Sequence, residues 1–297
     1  MKMTPLSFYE YTRRSLDSLA KKKGITDLSR YYQLTDYAEG SFLNLYSDKA
    51  QVFAQICLHA QNATLISNIV NFESNLSFLK EVLCGFDTDC FLLKYPANEV
   101  DKSVLRLVED LRYNDELGVG LKWDSTKSKS ANKDRLVKRY AQTLINGAVY
   151  INSFENRKSL LDDLINNYQN GNYRELIKYF RNKNPVGFSI ALTCDFLKEF
   201  DQAFMDLPKP DIHIKDTLCA LFERKAGYYS SEEREYECIG EMQKLTKDIN
   251  KELDVKDHIT VYQLDRMIWL ICSGNFFLDY SQNAKSAFLN GIKQYYN

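Results

Sequence analysis

Apolar residues recur at three- and four-residue steps through most of this chain. In "KAQVFAQICLHAQNATLISNIV" they include Val52, Ile56, Leu65 and Ile69, and "VLRLVEDL" and "SLLDDLINNY" repeat the spacing. "TVYQLDRMIWLIC" sets Val261, Leu264, Ile268 and Ile271 on one stripe. Period-two alternation, the mark of a half-buried strand, is nearly absent. The pattern predicts an all-α fold. Helix starts are expected at polar breaks of the Ser67 or Ser74 type, at Thr260 and at Asp211. Glycines 118, 120, 171, 187, 227 and 274 punctuate the segments, and "LGVGLKWDSTKSKSANK" is expected to be an exposed loop.

Composition narrows the class. At 297 residues with 44% hydrophobic content, the chain can bury one large core or two modest ones. Only 12 glycines and 5 prolines argue against linkers and disorder, and no internal repeat is visible. The opening "MKMTPLSFYEYTRRSLDSLAKKK" has no apolar signal core. No later segment approaches the roughly 18 apolar residues of a membrane span, so a cytoplasmic protein with no membrane partner is expected.

Seven cysteines at irregular spacing, with no C-x-x-C pair, read as reduced core thiols. With three scattered histidines they predict neither a metal nor another cofactor. The net charge of −1 does not advertise nucleic-acid binding. One basic run, Lys127, Lys129, Lys133, Arg135, Lys138 and Arg139, could serve that purpose or form an ordinary solvated helix face.

A more specific pattern lies in "NYRELIKYFRNKNPVGFSIALTCDFLKEFDQAFMDLPKPDIHIKD". A helix through Tyr179 is expected to break at residues 182–187, and a second helix to run from about Ser189 to Phe200. Gly187 permits a close or left-handed backbone, and the free amides opening the second helix suit a phosphate, with Arg181 and Lys183 beside them. An ordinary helix-turn-helix connection is the commoner outcome of such a pattern. Next comes a proline-bounded turn and Asp211-Ile212-His213-Ile214, where Asp211 is suited to cap a helix.

In order and spacing this segment resembles the helix-hairpin-helix DNA glycosylase superfamily, which includes endonuclease III and the 8-oxoguanine glycosylases. The family pattern Leu-Pro-Gly-Val-Gly-x-Lys-x-Ala, a helix, then Val-Asp-x-His-Val/Ile is met here by Lys183 to Ala191 and, 22 residues after Ser189, by Asp211 to Ile214. A second match, Leu58-His59-Ala60-Gln61-Asn62-Ala63-Thr64, is similar to the family's Leu-Ser-x-Gln segment. A third is Asp265 and Trp269, an acid and a tryptophan one helical turn apart, as in the archaeal-type 8-oxoguanine enzymes.

The resemblance implies two helical lobes flanking a cleft, one over residues 50–200 and one from 1–49 with 201–297. It implies double-stranded DNA carrying a damaged or modified base as partner, and a nucleoid-associated role in base excision repair or phage defence. It assigns catalysis to Asp211, and a base pocket or duplex plug to Gln61, Asn62, Pro210, Asp265 and Trp269. Backbone contacts fall to Arg181, Lys183, Val186, Gly187, Ser189 and His213. Cleaving an N-glycosidic bond builds oxocarbenium character on the sugar, which a carboxylate near C1′ stabilises.

Three departures refine this expectation. Ser189 stands where bifunctional members place a lysine nucleophile, so hydrolysis by water and an abasic product are expected, without lyase activity. Pro185 replaces the first glycine of the hairpin, removing one amide. The cysteines of the iron–sulfur module are missing. Oxidised purines, alkylated bases and hypermodified phage bases remain open as substrates. A non-catalytic helix-hairpin-helix DNA-binding protein and an all-α interaction protein remain open as alternatives.

Overall fold

A computed structural model describes residues 3–28, 48–62, 66–123, 133–170, 172–184, 186–273 and 284–295. Pro185, Lys127 and Lys129, glycines 171 and 274, and Ala63 to Leu65 lie outside the described residues. The helices are α1 (Pro5–Lys22), α2 (Lys49–Gln61), α3 (Ser67–Val70), α4 (Leu76–Val82), α5 (Thr88–Lys94), α6 (Val100–Leu111) and α7 (Lys133–Asn152). They continue with α8 (Arg157–Asn170), α9 (Tyr173–Lys183), α10 (Ile190–Phe200), α11 (Ile212–Leu221), α12 (Glu232–Asn250), α13 (Val261–Ser273) and α14 (Lys285–Gln294). Among the described residues no strand is present, and only two isolated bridges occur, Arg112 with Leu121 and Asn114 with Val119. The fold of the described residues is all α. None of the described helices is long and apolar enough to cross a membrane.

The chain forms two compact units, Phe42–Phe196 and Met1–Ser41 with Leu197–Asn297. In the first, α7 packs against α2, α5 and α6. Val137, Tyr140, Ala141, Leu144, Ile145, Ala148 and Ile151 supply its buried stripe at the three/four spacing. Gly147 lets α2 approach closely, because a Cβ there would lie 2.7 Å from Ile56 Cγ2. In α6 the same spacing buries Val104, Leu107, Val108 and Leu111. The second unit packs α1, α11, α12, α13 and α14 around Leu16, Leu218, Met242 and Ile268. Each such fully buried side chain contributes roughly 1.5–3 kcal/mol before entropy is subtracted.

Local chemistry fixes several helix ends. Thr260 and Gln263 make a reciprocal cap at α13, the Gln263 amide donating to Thr260 Oγ1 (3.1 Å) and the Thr260 amide to Gln263 Oε1 (2.8 Å). Helices do start at the expected places, at Ser67 and, two residues past Ser74, at Leu76, but without a serine cap. Helix α3 is a single turn capped by Ile66, and α4 begins after Asn75, neither with a side-chain cap bond. Their position follows from burial of Ile69, Val70 and Leu79 rather than from a capping side chain.

Of the loop expected over residues 117–133, residues 124–132 lie outside the described residues, and residues 117–123 are exposed only in part. Leu117 and Val119 project into solvent, yet Leu121 is buried. Lys133, Arg135, Lys138 and Arg139 lie on the exposed face of the first turns of α7. Asp134, from the same turn, accepts from Trp123 Nε1 at 2.8 Å and pairs with Arg112 at 3.4 Å.

Candidate active site

Asp211 opens α11. Its backbone is extended (φ −84°, ψ −179°), as an N-cap requires, and Oδ1 accepts from the amides of His213 (2.8 Å) and Ile214 (3.1 Å). Among the described residues Oδ2 receives no hydrogen bond. One oxygen thus orients the carboxylate while the other is open. Such a group can take up a proton or face a developing positive charge.

The turn before it is constrained at both of its amides. Pro208 and Pro210 are buried and have no N–H, so Lys209 and Asp211 carry the donors there. The Asp211 amide donates to Lys209 O at 2.7 Å. The Lys209 amide donates to Asp265 Oδ2 at 2.9 Å, and the same oxygen accepts from Lys198 Nζ at 2.8 Å. Lys198 and Asp265 are 7% and 3% exposed, which makes this a buried ion pair. The Lys198 ammonium also lies 5.6 Å from the centre of the Tyr262 ring. Burial pushes the Asp265 carboxyl above the usual carboxylate range, against the pull of the Lys198 ammonium and the Lys209 amide. All these residues belong to the unit Met1–Ser41 with Leu197–Asn297.

This setting differs from the one expected for Asp265. Its carboxylate is taken up inside the unit by an ammonium and an amide, because an unpaired charge at that depth costs several kcal/mol. Trp269, one turn on, packs partly buried against the unit core, and the Arg266 guanidinium carbon lies 4.7 Å from its ring centre. Pro210 is buried beside Asp211 in sequence.

His213 is half-buried, and its Nδ1 has no hydrogen-bond partner among the described residues. Burial lowers its pKa, with Asp211 and Asp216 opposing and Lys285 and Lys209 reinforcing the shift. Lys285 reaches α11 through an ion pair with Asp216 at 2.7 Å.

The remaining candidates lie in the unit Phe42–Phe196. Helices α9 and α10 are joined by residues 184–189, and α9 runs four residues past Tyr179, to Lys183. Gly187 adopts φ +94°, and Thr143 of α7 lies against it, with Thr143 Oγ1 2.8 Å from Arg139 O and 3.0 Å from Val186 O. Phe188 anchors the turn among Phe180 and Phe196, with ring centres 5.3 and 6.0 Å apart.

Ser189 is exposed and caps α10, its Oγ accepting from the Leu192 amide at 3.2 Å. Lys183 is exposed over the Tyr179 ring, and Arg181 is half-buried. Gln61 is buried with Oε1 accepting from the Phe72 amide at 2.9 Å, so its carbonyl holds the chain after α3; Asn62 is the exposed C-cap of α2. A buried pair absent from the sequence reading, His59 Nδ1 with Asp195 Oδ2 at 3.6 Å, lies in the same unit.

Among the described residues no group of three His, Cys, Asp or Glu side chains is placed to hold a metal ion. Comparison with protein-family models, curated proteins and solved structures finds no match to this chain.

Sequence reasoning missed the Lys198–Asp265–Lys209 clamp. Its members are up to 67 residues apart, and no local pattern joins them. The one signal available was a Lys and an Asp inside apolar helical stripes, where a charge needs a partner.

Proposed function

We propose that this chain is a monofunctional DNA N-glycosylase that takes a damaged or modified base out of duplex DNA and hydrolyses its N-glycosidic bond. The observation that carries the reading is the division of labour on Asp211, where Oδ1 is held by two amides and Oδ2 is open. In the reaction the C1′–N bond breaks, its electron pair leaving with the base. Asp211 stabilises the positive charge left on the sugar. Water then forms the new C1′–O bond, passing its proton to Oδ2 or to the departing base. The exposed Ser189 hydroxyl at the start of α10 supplies no amine for a Schiff base, in keeping with an abasic product.

The first turn of α10, with Lys183 nearby in sequence, supports a role in holding a phosphate. Oxidised purines, alkylated bases and hypermodified phage bases are the substrate classes to be compared.

The second reading is a DNA-binding protein without chemistry. It is favoured by the capping bonds of Asp211 to the His213 and Ile214 amides, which give that carboxylate a structural use without any chemistry.

A base-release screen by mass spectrometry separates the two. Wild type releases a base from one class and Asp211→Asn does not, if the proposal holds. Binding to a duplex with an abasic-site analogue, without release from any class, sinks the enzymatic reading. Absence of salt-dependent binding sinks both.

A further inference from the structure

The geometry points to Asp265 and Lys198 as positioning residues for Asp211, acting through the Lys209 backbone rather than by touching a base. The inference rests on the reading of Asp211 as the catalytic group. The connection is continuous: Lys198 Nζ to Asp265 Oδ2, Asp265 Oδ2 to the Lys209 amide, and Lys209 O to the Asp211 amide, at 2.8, 2.9 and 2.7 Å.

A residue between two prolines has no neighbouring amide with which to share its anchoring. Pro208 and Pro210 remove those donors, leaving the Lys209 N–H as the donor between the prolines that reaches α13, whose Tyr262 amide donates to Met205 O at 3.0 Å just upstream. Asp265 must be a strong acceptor to do so, and an ionised carboxylate is one. A carboxylate this deep needs a counter-charge, and Lys198 provides it from the last turn of α10. Capping fixes where the Asp211 side chain points relative to α11, and the clamp fixes where α11 begins. A displacement of about 1 Å at the reacting carboxylate is worth up to about a hundredfold in rate.

Two charge-neutral double variants test this. Both Lys198→Met/Asp265→Asn and Lys198→Met/Asp265→Leu remove the buried ion pair, a replacement that folded proteins generally tolerate. The Asn variant keeps an acceptor for the Lys209 N–H and the Leu variant does not. In the full chain without ligand, the Lys209 and Asp211 amides are expected to exchange hydrogen at least about tenfold faster in the Leu variant than in the Asn variant, with α12 amides alike in both.

The activity readout is single-turnover base release from duplexes carrying 8-oxoguanine, 7-methylguanine or a hypermodified phage base. There the Leu variant is expected to lose about tenfold or more in rate constant. The Asn variant should recover to within about threefold of wild type, with similar half-saturating protein concentrations for all.

Equal amide exchange in the two doubles overturns the inference. So does a loss confined to half-saturation, which would put Asp265 in contact with the base. If wild type releases no base from these duplexes, the glycosylase reading fails separately, and amide exchange alone decides whether the clamp holds the turn.

Discussion

Gly187 stands so close to Thr143 that a Cβ on it would lie 2.0 Å from the Thr143 Oγ1. With φ at +94° the position is costly for any L side chain even before the overlap is counted. Gly187→Ala is therefore expected to destabilise the protein by about 2–4 kcal/mol, read by denaturant unfolding. In a Thr143→Ala background the same change should cost about 1–2 kcal/mol less, since Oγ1 and Cγ2 are the atoms in the way, although Thr143 Cβ remains at 2.9 Å. Equal costs in the two backgrounds would show that strain, not the close approach, selects glycine.

Asp211 caps α11, and the proposed chemistry gives it a second, separable role. Asn caps a helix about as well as Asp, so Asp211→Asn should hold unfolding stability within about 0.5 kcal/mol of wild type, whereas Asp211→Ala should lose about 1 kcal/mol. Base release should fall by about a hundredfold or more in both. A rate loss in Ala alone would make Asp211 a cap and nothing more.

His213 should leave a signature in the pH dependence of stability. Burial holds the folded imidazole below its ordinary value of 6.5. In the window between that value and the lower folded one, the unfolded chain binds more protons, so stability rises with pH there and falls as pH drops through it. The loss levels off once the folded imidazole is itself protonated. Between about pH 7.5 and about pH 5, wild type should lose stability relative to His213→Gln. Parallel curves for the two proteins would contradict this.

Two buried tyrosines predict opposite outcomes. The Tyr140 hydroxyl donates to Cys57 O at 3.2 Å, while the Tyr150 hydroxyl is buried without a partner among the described residues. Burial raises both phenols above the ordinary range, so each is a neutral donor. Tyr140→Phe should cost about 1 kcal/mol, and Tyr150→Phe should be neutral or stabilise by up to about 1 kcal/mol, measured as midpoint shifts in urea. Equal destabilisation by both would mean that Tyr150 has acquired a bound water as partner.

The helices were legible because their cause is local. Apolar spacing fixed the stripes of α6, α7 and α13, and the chemistry of single side chains fixed the starts at Thr260 and Asp211. Position 187 also announced its backbone, since only glycine takes a positive φ without strain. The sequence alone therefore determined the all-α character, the turn between α9 and α10, and the cap at Asp211.

Tertiary structure decided what surrounds those features. That Asp265 turns inward to Lys198 and the Lys209 amide, that Thr143 occupies the space at Gly187, and that Gln61 supports Phe72 are all pairings between separate elements. An isolated Asp in an apolar stripe must find a counter-charge when it is buried. Which lysine supplies it depends on Lys198, in the last turn of α10, meeting Asp265 within one unit, and that choice has no trace in the spacing of either helix.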